Sequence, residues 1–452
     1  DEDEHALQLD DNEKALIRHV KQYFDTVIVL INSSNIMQIP DLAEPKTADN
    51  LGVDAILWVG NTGNNAIEAV GPILNGTVNP SGHTVDIWPT DFTKDPTFTN
   101  FSANTQNKDE NGNRMDSFLY YEGEDTGYRT VEYREGIYMG YRYYETMADD
   151  MNAASEGTGD TWYGENVVYP FGYGLSYTTF EWALADTTAQ TGEITAPNQV
   201  ISVDVTVTNT GSVAGKDVVQ LYYTAPYTAG EIEKASVNMA GFAKTDLLQP
   251  GESQTVTVEL VAQDMASFDY NDANNNDFEG YELEAGTYTI SARYDSHNVA
   301  FSVERTVKED ILCTTDYTTG AEIKPVFVDN YTSVNDTLLD NQITRTELGQ
   351  PAPASLEDRT ISEDVKAMLD SQETYASYMD DGTEPWYVGS EIPGWTQATA
   401  HAEDYSDVTI KLKDMSGIPY TQALPVDGVV TPATDEGSQK WDEFMNQLTW
   451  DE

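Results

Sequence analysis

Cysteine is nearly absent. Cys313 stands alone in 452 residues, which excludes an intrachain disulfide framework and a thiolate metal cluster. Basic residues are scarce too: 23 lysines and arginines face 78 aspartates and glutamates, a formal net charge of −55 with an isoelectric point near 4.1. A field of that sign repels phosphate backbones and anionic lipid, which argues against nucleic acid and membrane surfaces as partners and leaves neutral or cationic ligands. The plainer alternative is a solvated, salt-tolerant surface. The five histidines, His5, His19, His83, His297 and His401, are scattered and form no ligand pattern such as H-E-x-x-H. No apolar run reaches the roughly 18 residues of a membrane span. The opening "DEDEHALQLDD" has none of the marks of a signal peptide and reads like the middle of a longer polypeptide.

What is present is enough apolar material for sizeable cores. Hydrophobic residues make up 39% and aromatics 11%, and a folded chain of this length is expected to divide into at least two or three domains. From residue 10 the pattern is α/β. "DDNEKALIRHVKQYF" offers Asp10 as an N-cap with Glu13 three residues on, then Leu16, Ile17, Val20 and Phe24 along one helical face. "TVIVLI" follows as a continuous apolar strand, of the kind buried on both faces of a parallel sheet, and "VDAILWV" from residue 53 is a second. Two parallel strands joined through helices place both following reversals, "NSSN" (32–35) and "GNTGNN" (60–65), on one edge of the sheet.

Open parallel sheets bind ligands outside the carboxyl ends of their strands. Asn32, Asn35, Asn64 and Asn65 therefore become candidate binding residues, since a carboxamide both donates and accepts and suits a ligand rich in hydroxyls. The alternative is that Asn and Gly are there because tight turns need positive φ. "GNTGNN" has neither the third glycine of a dinucleotide fingerprint nor the lysine of a P-loop.

The stretch "FLYYEGEDTGYRTVEYREGIYMGYRYYET" (118–146) interleaves Tyr with Arg, either to stack on sugar rings or to pack an interdomain seam. "VVYPFGYGLSYTTFEW" (167–182) reads as a linker packed down between aromatic anchors. The period then changes to two. "QVISVDVTVTNTG" places Ile201, Val203, Val205 and Val207 in a core, and "VVQLYYTAP", "SQTVTVEL", "GTYTISARY" and "VAFSVERTV" continue a β-sandwich. "DYNDANNNDFEG" imitates an EF-hand start at Asp272, Asn274 and Asn276, but its sixth position is Asp277 and its twelfth Leu283, so no metal is expected. Beyond residue 306 lies a long covering segment with one helix near 362–370, and "SQKWDEFMNQLTWDE" begins an amphipathic helix at the end of the chain.

Four phrases in order, "VNPSG" (78–82), "YREGIYMGYRYYE" (133–145), "YPFGYGLSYTTF" (169–180) and "LEAGTYTI" (283–290), resemble glycoside hydrolase family 3 over most of residues 10–305. The resemblance implies an α/β open sandwich (1–145), a packed linker (146–182), a fibronectin-III-like β-sandwich (183–308) and a covering segment (309–432). "KWDEFMNQLTWDE", within 433–452, resembles the start of the family's catalytic (β/α)8 barrel, placed last as in permuted members. On that resemblance the chain is an incomplete enzyme whose barrel comes from the same precursor or a second chain. A non-catalytic carbohydrate-binding or scaffolding protein is the alternative.

The resemblance further implies retaining hydrolysis of terminal, non-reducing β-linked sugars by two carboxylates, with no cofactor. The nucleophile is expected to be an Asp of the barrel, outside this chain. The family's acid/base is commonly a Glu in a "GQExGN" turn, and an ungapped match places Asn65 there. An amide does not deliver a proton as a carboxylic acid does. Glu68, one helical turn on, is one substitute; a residue before Asp1, or the "EGED" loop at 122–125, is another, and loss of proton delivery is the last. Ser81, His83 and Asp86 sit too close together on an extended segment to converge as a triad. Sugar preference, homo-oligomer formation and compartment stay open.

Overall fold

Helix α1 (Asp11–Lys21) begins where its sequence says it must. The Asp10 carboxylate accepts the Glu13 N–H at 2.7 Å, and the Glu13 carboxylate returns to the Asp10 N–H at 2.9 Å, a complete capping box. In a computed structural model, residues 7–63, 66–98, 117–130, 133, 135–324, 342–349, 359–363 and 365–367 are described. The chain divides into a unit ending at Ser362 and a second beginning at Glu363, of which only residues 363 and 365–367 are described.

Strand β1 (Ile28–Ile31) pairs in parallel with β2 (Ala55–Trp58), in register from Ile28–Ala55 to Ile31–Trp58, with the short helix α2 (Pro40–Ala43) between them. One face of this pair packs with Leu9, Ile31, Ile39, Leu42, Leu51 and Trp88, with Val29 and Ile56 against them. Burial on both faces, expected from the unbroken apolar run, is not found: Ile28 and Leu30 are each 44% exposed. Alternate residues of a strand face opposite ways, and among the described residues only the Val29–Ile31 face meets a core. The apolar stripe of α1 is likewise corrected. Ile17 packs on the core, whereas Leu16 and Phe24 are both 62% exposed.

After α3 (Val70–Leu74) the chain turns at Asn75 and Gly76 and continues without helix or strand to β3 (Trp88–Pro89). A hairpin, β4 (Ser117–Tyr121) and β5 (Glu124–Thr130), turns at Glu122 and Gly123, both with positive φ, as a tight two-residue connection requires. Helices α4 (Tyr141–Ala154) and α5 (Thr158–Asn166) follow, and β6 (Val167–Tyr169) pairs antiparallel with β3.

The β-sandwich comes next. Strands β7 (Phe180–Leu184), β8 (Thr191–Ile194), β9 (Val200–Asn209), β10 (Val218–Thr224), β11 (Asn238–Lys244) and β12 (Ser253–Val261) are followed by β13 (Ser267–Asp269) and β14 (Gly280–Leu283). Strands β15 (Gly286–Arg293), β16 (Val299–Val307) and β17 (Ile311–Leu312) complete it. One sheet runs β11-β10-β15-β16-β8, with β8 parallel to β16, and the other runs β12-β9-β7, while β13, β14 and β17 form a small separate sheet in the order β13-β14-β17. The period-two reading holds: Ile201, Val203, Val205 and Val207 are at most 3% exposed. Each such side chain contributes on the order of 1.5–3 kcal/mol of burial, which makes β9 the spine of the core.

The tyrosine-rich stretch is the seam between the two folds. Tyr141 stacks on Phe171 (4.7 Å between centroids) and meets Tyr222 edge-on, and its hydroxyl accepts the Met239 N–H at 2.9 Å. Tyr138 and Tyr144 are buried, the latter stacked on Trp162. Further along, the segment 342–349 returns to this seam through Ile343 and Leu348, and β18 (Arg359–Thr360) pairs in parallel with β4.

Candidate functional site

Parallel pairing sends both strand-end loops to one edge, as the sequence predicts. The Val59 N–H donates to Ile31 O at 2.9 Å, and Trp58 Nε1–H donates to Ser33 O at 2.7 Å, so the loop after β1 is tied to the end of β2. Asn32 and Asn35 are exposed on that loop, and the Asn35 N–H donates to Ser33 Oγ at 3.2 Å. In the second loop Gly60 and Gly63 take φ of +60° and +57°. Each glycine is thus required by its conformation alone, whatever else the loop does. Asn64 and Asn65 lie outside the described residues. Glu68 is exposed, within the 3₁₀ turn Ala66–Ala69 that precedes α3.

The other acids considered from sequence have local occupations. The "EGED" segment is the exposed tip of the β4–β5 hairpin, where Asp125 Oδ1 accepts the Gly127 N–H at 2.8 Å. Asp86 Oδ1 accepts the neighbouring Ile87 N–H at 2.9 Å, while His83 is half-buried with its enclosed Nδ1 unpartnered, so Ser81, His83 and Asp86 form no relay. Burial pulls His83 below its ordinary pKa, only partly offset by the Asp217 charge. In the EF-hand-like loop, Asp272 Oδ1 accepts the N–H groups of Asn276 (2.8 Å) and Asp277 (3.1 Å), and Asp269 holds Asn271 and Ala273 in the same way. Among the described residues no three His, Cys, Asp or Glu side chains are grouped to hold a metal.

Sequence reasoning missed what the "VNPSG" and "FGYGLSY" phrases do. Asn79 Oδ1 accepts Ser176 Oγ–H (3.1 Å) and the Tyr177 N–H (2.8 Å), and its Nδ2 donates to Ala214 O at 3.1 Å. One amide thus joins three segments. The Thr84 N–H donates to Tyr173 O (2.7 Å) and Thr84 Oγ1 to Pro170 O (2.7 Å), while the Gly172 N–H returns to Thr84 O at 2.9 Å. Gly172 has φ +79°, and a Cβ there would fall 2.1 Å from Gln220 Oε1. The only sequence signal for this role was the pair of glycines between aromatics. These motifs brace the α/β domain against the β-sandwich.

The described residues thus form an α/β fold braced on a β-sandwich, with the loops that follow β1 and β2 exposed. Residues 1–141 match the glycosyl hydrolase family 3 C-terminal domain and residues 217–296 the fibronectin type III-like domain. Over these two stretches the chain is similar to glycoside hydrolase family 3 with its fibronectin-III-like domain. It is 37% identical over 288 residues to β-glucosidase A of Butyrivibrio fibrisolvens, covering 61% of this chain and 29% of that protein. It is 33% identical over 303 residues to a β-glucosidase of Ruminococcus albus, covering 66% of this chain and 26% of that one. The chain thus spans less than a third of the length of these relatives. Among solved structures, a β-glucosidase from Paenibacillus barengoltzii superimposes with a TM-score of 0.53 at 30% identity, over 68% of this chain and 29% of that one. β-Glucosidase 3B of Thermotoga neapolitana, solved in complex with glucose, gives 0.50 at 30% identity, over 68% and 35%.

Proposed function

We propose that this chain is part of a retaining β-glycosidase of the β-glucosidase type, acting on terminal, non-reducing β-linked sugars. The observation that carries this reading is the joint match of its two domains, in order, to proteins named β-glucosidase at 33–37% identity. The loops after β1 and β2 form one wall of the sugar pocket, with Asn32, Asn35, Asn64 and Asn65 binding hydroxyls. A carboxamide there reads a sugar edge as both donor and acceptor, and it adds no charge to a chain that already carries −55. The nucleophile is an aspartate of a (β/α)8 barrel whose opening phrase is "KWDEFMNQLTWDE" within 433–452, carried by the same precursor or a second chain.

In that mechanism the barrel aspartate attacks the anomeric carbon, and a general acid protonates the departing oxygen and afterwards activates water. Glu68 is the carboxylic acid nearest in sequence to the Asn65 position, and its exposed side chain is free of burial constraints. The second reading, a non-catalytic carbohydrate-binding or scaffolding protein, is favoured by one observation: an amide, Asn65, stands where the family commonly has its acid.

The separating experiment takes the intact mass of the purified protein and then its hydrolysis of p-nitrophenyl β-glucoside, β-xyloside and β-galactoside. Turnover of any one by a barrel-containing polypeptide supports the glycosidase. Retention of a matching oligosaccharide with no turnover of any substrate replaces it with the binding reading.

A further inference from the structure

Away from the strand-end loops, a buried cluster joins α4, α5 and the turn between β15 and β16. Glu145, only 2% exposed, accepts Tyr163 Oη–H at 2.7 Å and Ser296 Oγ–H at 2.7 Å on Oε1. Its Oε2 lies 3.0 Å from His297 Nδ1. The His297 ring stacks on Tyr163, with centroids 3.8 Å apart and planes within 9°, while 26% of the His297 side chain stays open to solvent. The carboxylate is therefore held on three sides, and the one titratable partner on the physiological scale remains reachable by protons.

The charged and titratable groups around this cluster come from every element packed on it. Helix α4 supplies Glu145 and Asp149, and α5 supplies Tyr163 and Asp160. The turn supplies Asp295, which accepts the N–H groups of His297 (2.9 Å) and Asn298 (2.8 Å). Strand β15 supplies Arg293, whose Nη1–H donates to Ser296 O at 2.7 Å, and β10 supplies Tyr222. From the linker Tyr173, and from just after the "VNPSG" segment His83, also feel Asp295. Carboxylates outnumber cations here, so a protonated imidazole is the form these surroundings favour.

We infer that His297 and Glu145 form a proton-operated clasp between the α/β half and the β-sandwich, fastened when His297 is protonated and slackened when it is neutral. A protonated imidazole makes a charge-assisted hydrogen bond to a desolvated carboxylate, roughly twice as strong as its neutral counterpart. Burial by itself lowers the pKa of His297, but the hydrogen bond and charge of Glu145, with Asp295 and Asp160, outweigh it and leave the pKa raised. The folded state then holds more protons than the unfolded one above about pH 6.5. The clasp's contribution is full below that pH and is lost as pH rises through the raised value.

The test is amide hydrogen exchange on the whole 452-residue chain at acid, neutral and mildly alkaline pH, corrected for intrinsic base catalysis. Protection of α5 and of residues 294–298 is expected to fall several-fold from acid to alkaline pH, as a charge-assisted hydrogen bond gives way to a neutral one. His297→Gln, which keeps a neutral donor, should show the alkaline level of protection throughout. Histidine Cε1–H NMR provides a second measurement that survives a poorly folded variant: the His297 midpoint should exceed about 6.5 and should fall in Asp160→Asn. Identical pH dependence in the wild type and His297→Gln, or a midpoint at or below the ordinary value, would overturn the clasp.

Discussion

Arg345 grips Asp150 with two prongs across 195 positions of sequence: Nε–H reaches both oxygens, at 3.1 and 2.9 Å, and Nη2–H reaches Oδ1 at 2.6 Å. The guanidinium also lies 4.3 Å from the centre of the Tyr227 ring and donates from Nη1 to Lys234 O at 3.1 Å. The Arg345 backbone N–H donates to Glu233 Oε2, which also takes Tyr138 Oη–H. A segment that follows the β-sandwich is thereby fastened to α4.

A planar fork is what this geometry uses, so Arg345→Lys should behave nearly like Arg345→Ala. A double-mutant cycle with Asp150→Asn should return a coupling of about 1–3 kcal/mol, read from urea unfolding followed by tryptophan fluorescence. A coupling near zero would reduce the pair to a surface contact.

Asn79→Ala removes a donor to Ala214 and an acceptor shared by Ser176 and Tyr177. The expected loss is about 1–3 kcal/mol for the groups left unpaired, measured by the same unfolding curves. Asn79→Asp should recover part of the acceptor function and none of the donor.

Gly172→Ala meets two separate obstacles, the positive φ and the Gln220 amide. Pairing it with Gln220→Ala should remove the clash and leave a residual cost of about 1–2 kcal/mol for the backbone conformation. If the double variant is as unstable as Gly172→Ala alone, the backbone conformation dominates.

His83 should titrate below about pH 6.5 in the folded protein, because burial disfavours its charged form. Between the lowered value and the ordinary one the unfolded chain binds more protons than the folded one, so stability falls as pH drops through that window. Histidine NMR, with His83→Gln to assign the resonance, measures the midpoint directly, and a value above the ordinary one would show that charge rather than burial governs this site.

In a barrel-containing polypeptide, Asn64→Ala and Asn65→Ala should each raise KM or lower kcat by about 1–3 kcal/mol in transition-state terms. Glu68→Gln should depress kcat for a poor leaving group more than for p-nitrophenolate if Glu68 is the acid, since the latter needs little protonation. Unchanged kinetics in all three variants would return the loop to the role its positive-φ glycines require.

Much of this architecture was legible without coordinates, because the relevant physics is local. Asp10 and Glu13 announce their capping box within four residues, and Ile201 to Val207 announce a strand by alternation alone. The parallel pairing of β1 and β2 followed from two apolar runs separated by helical sequence. The burial of their faces did not: apolarity says what a side chain tolerates, and only the packing around β1 left Ile28 and Leu30 exposed while covering Ile31.

The sequence by itself determined the charge, the two fold types, their order and the family motifs, all properties carried by nearest neighbours or short periods. Only the tertiary structure decided what those motifs do. Asn79, Thr84, Gly172 and Gln220 come together from positions far apart to brace one domain on the other, and Glu145 meets His297 across 152 positions. Such pairings depend on where the chain returns to itself, and short-range patterning carries no record of that distance.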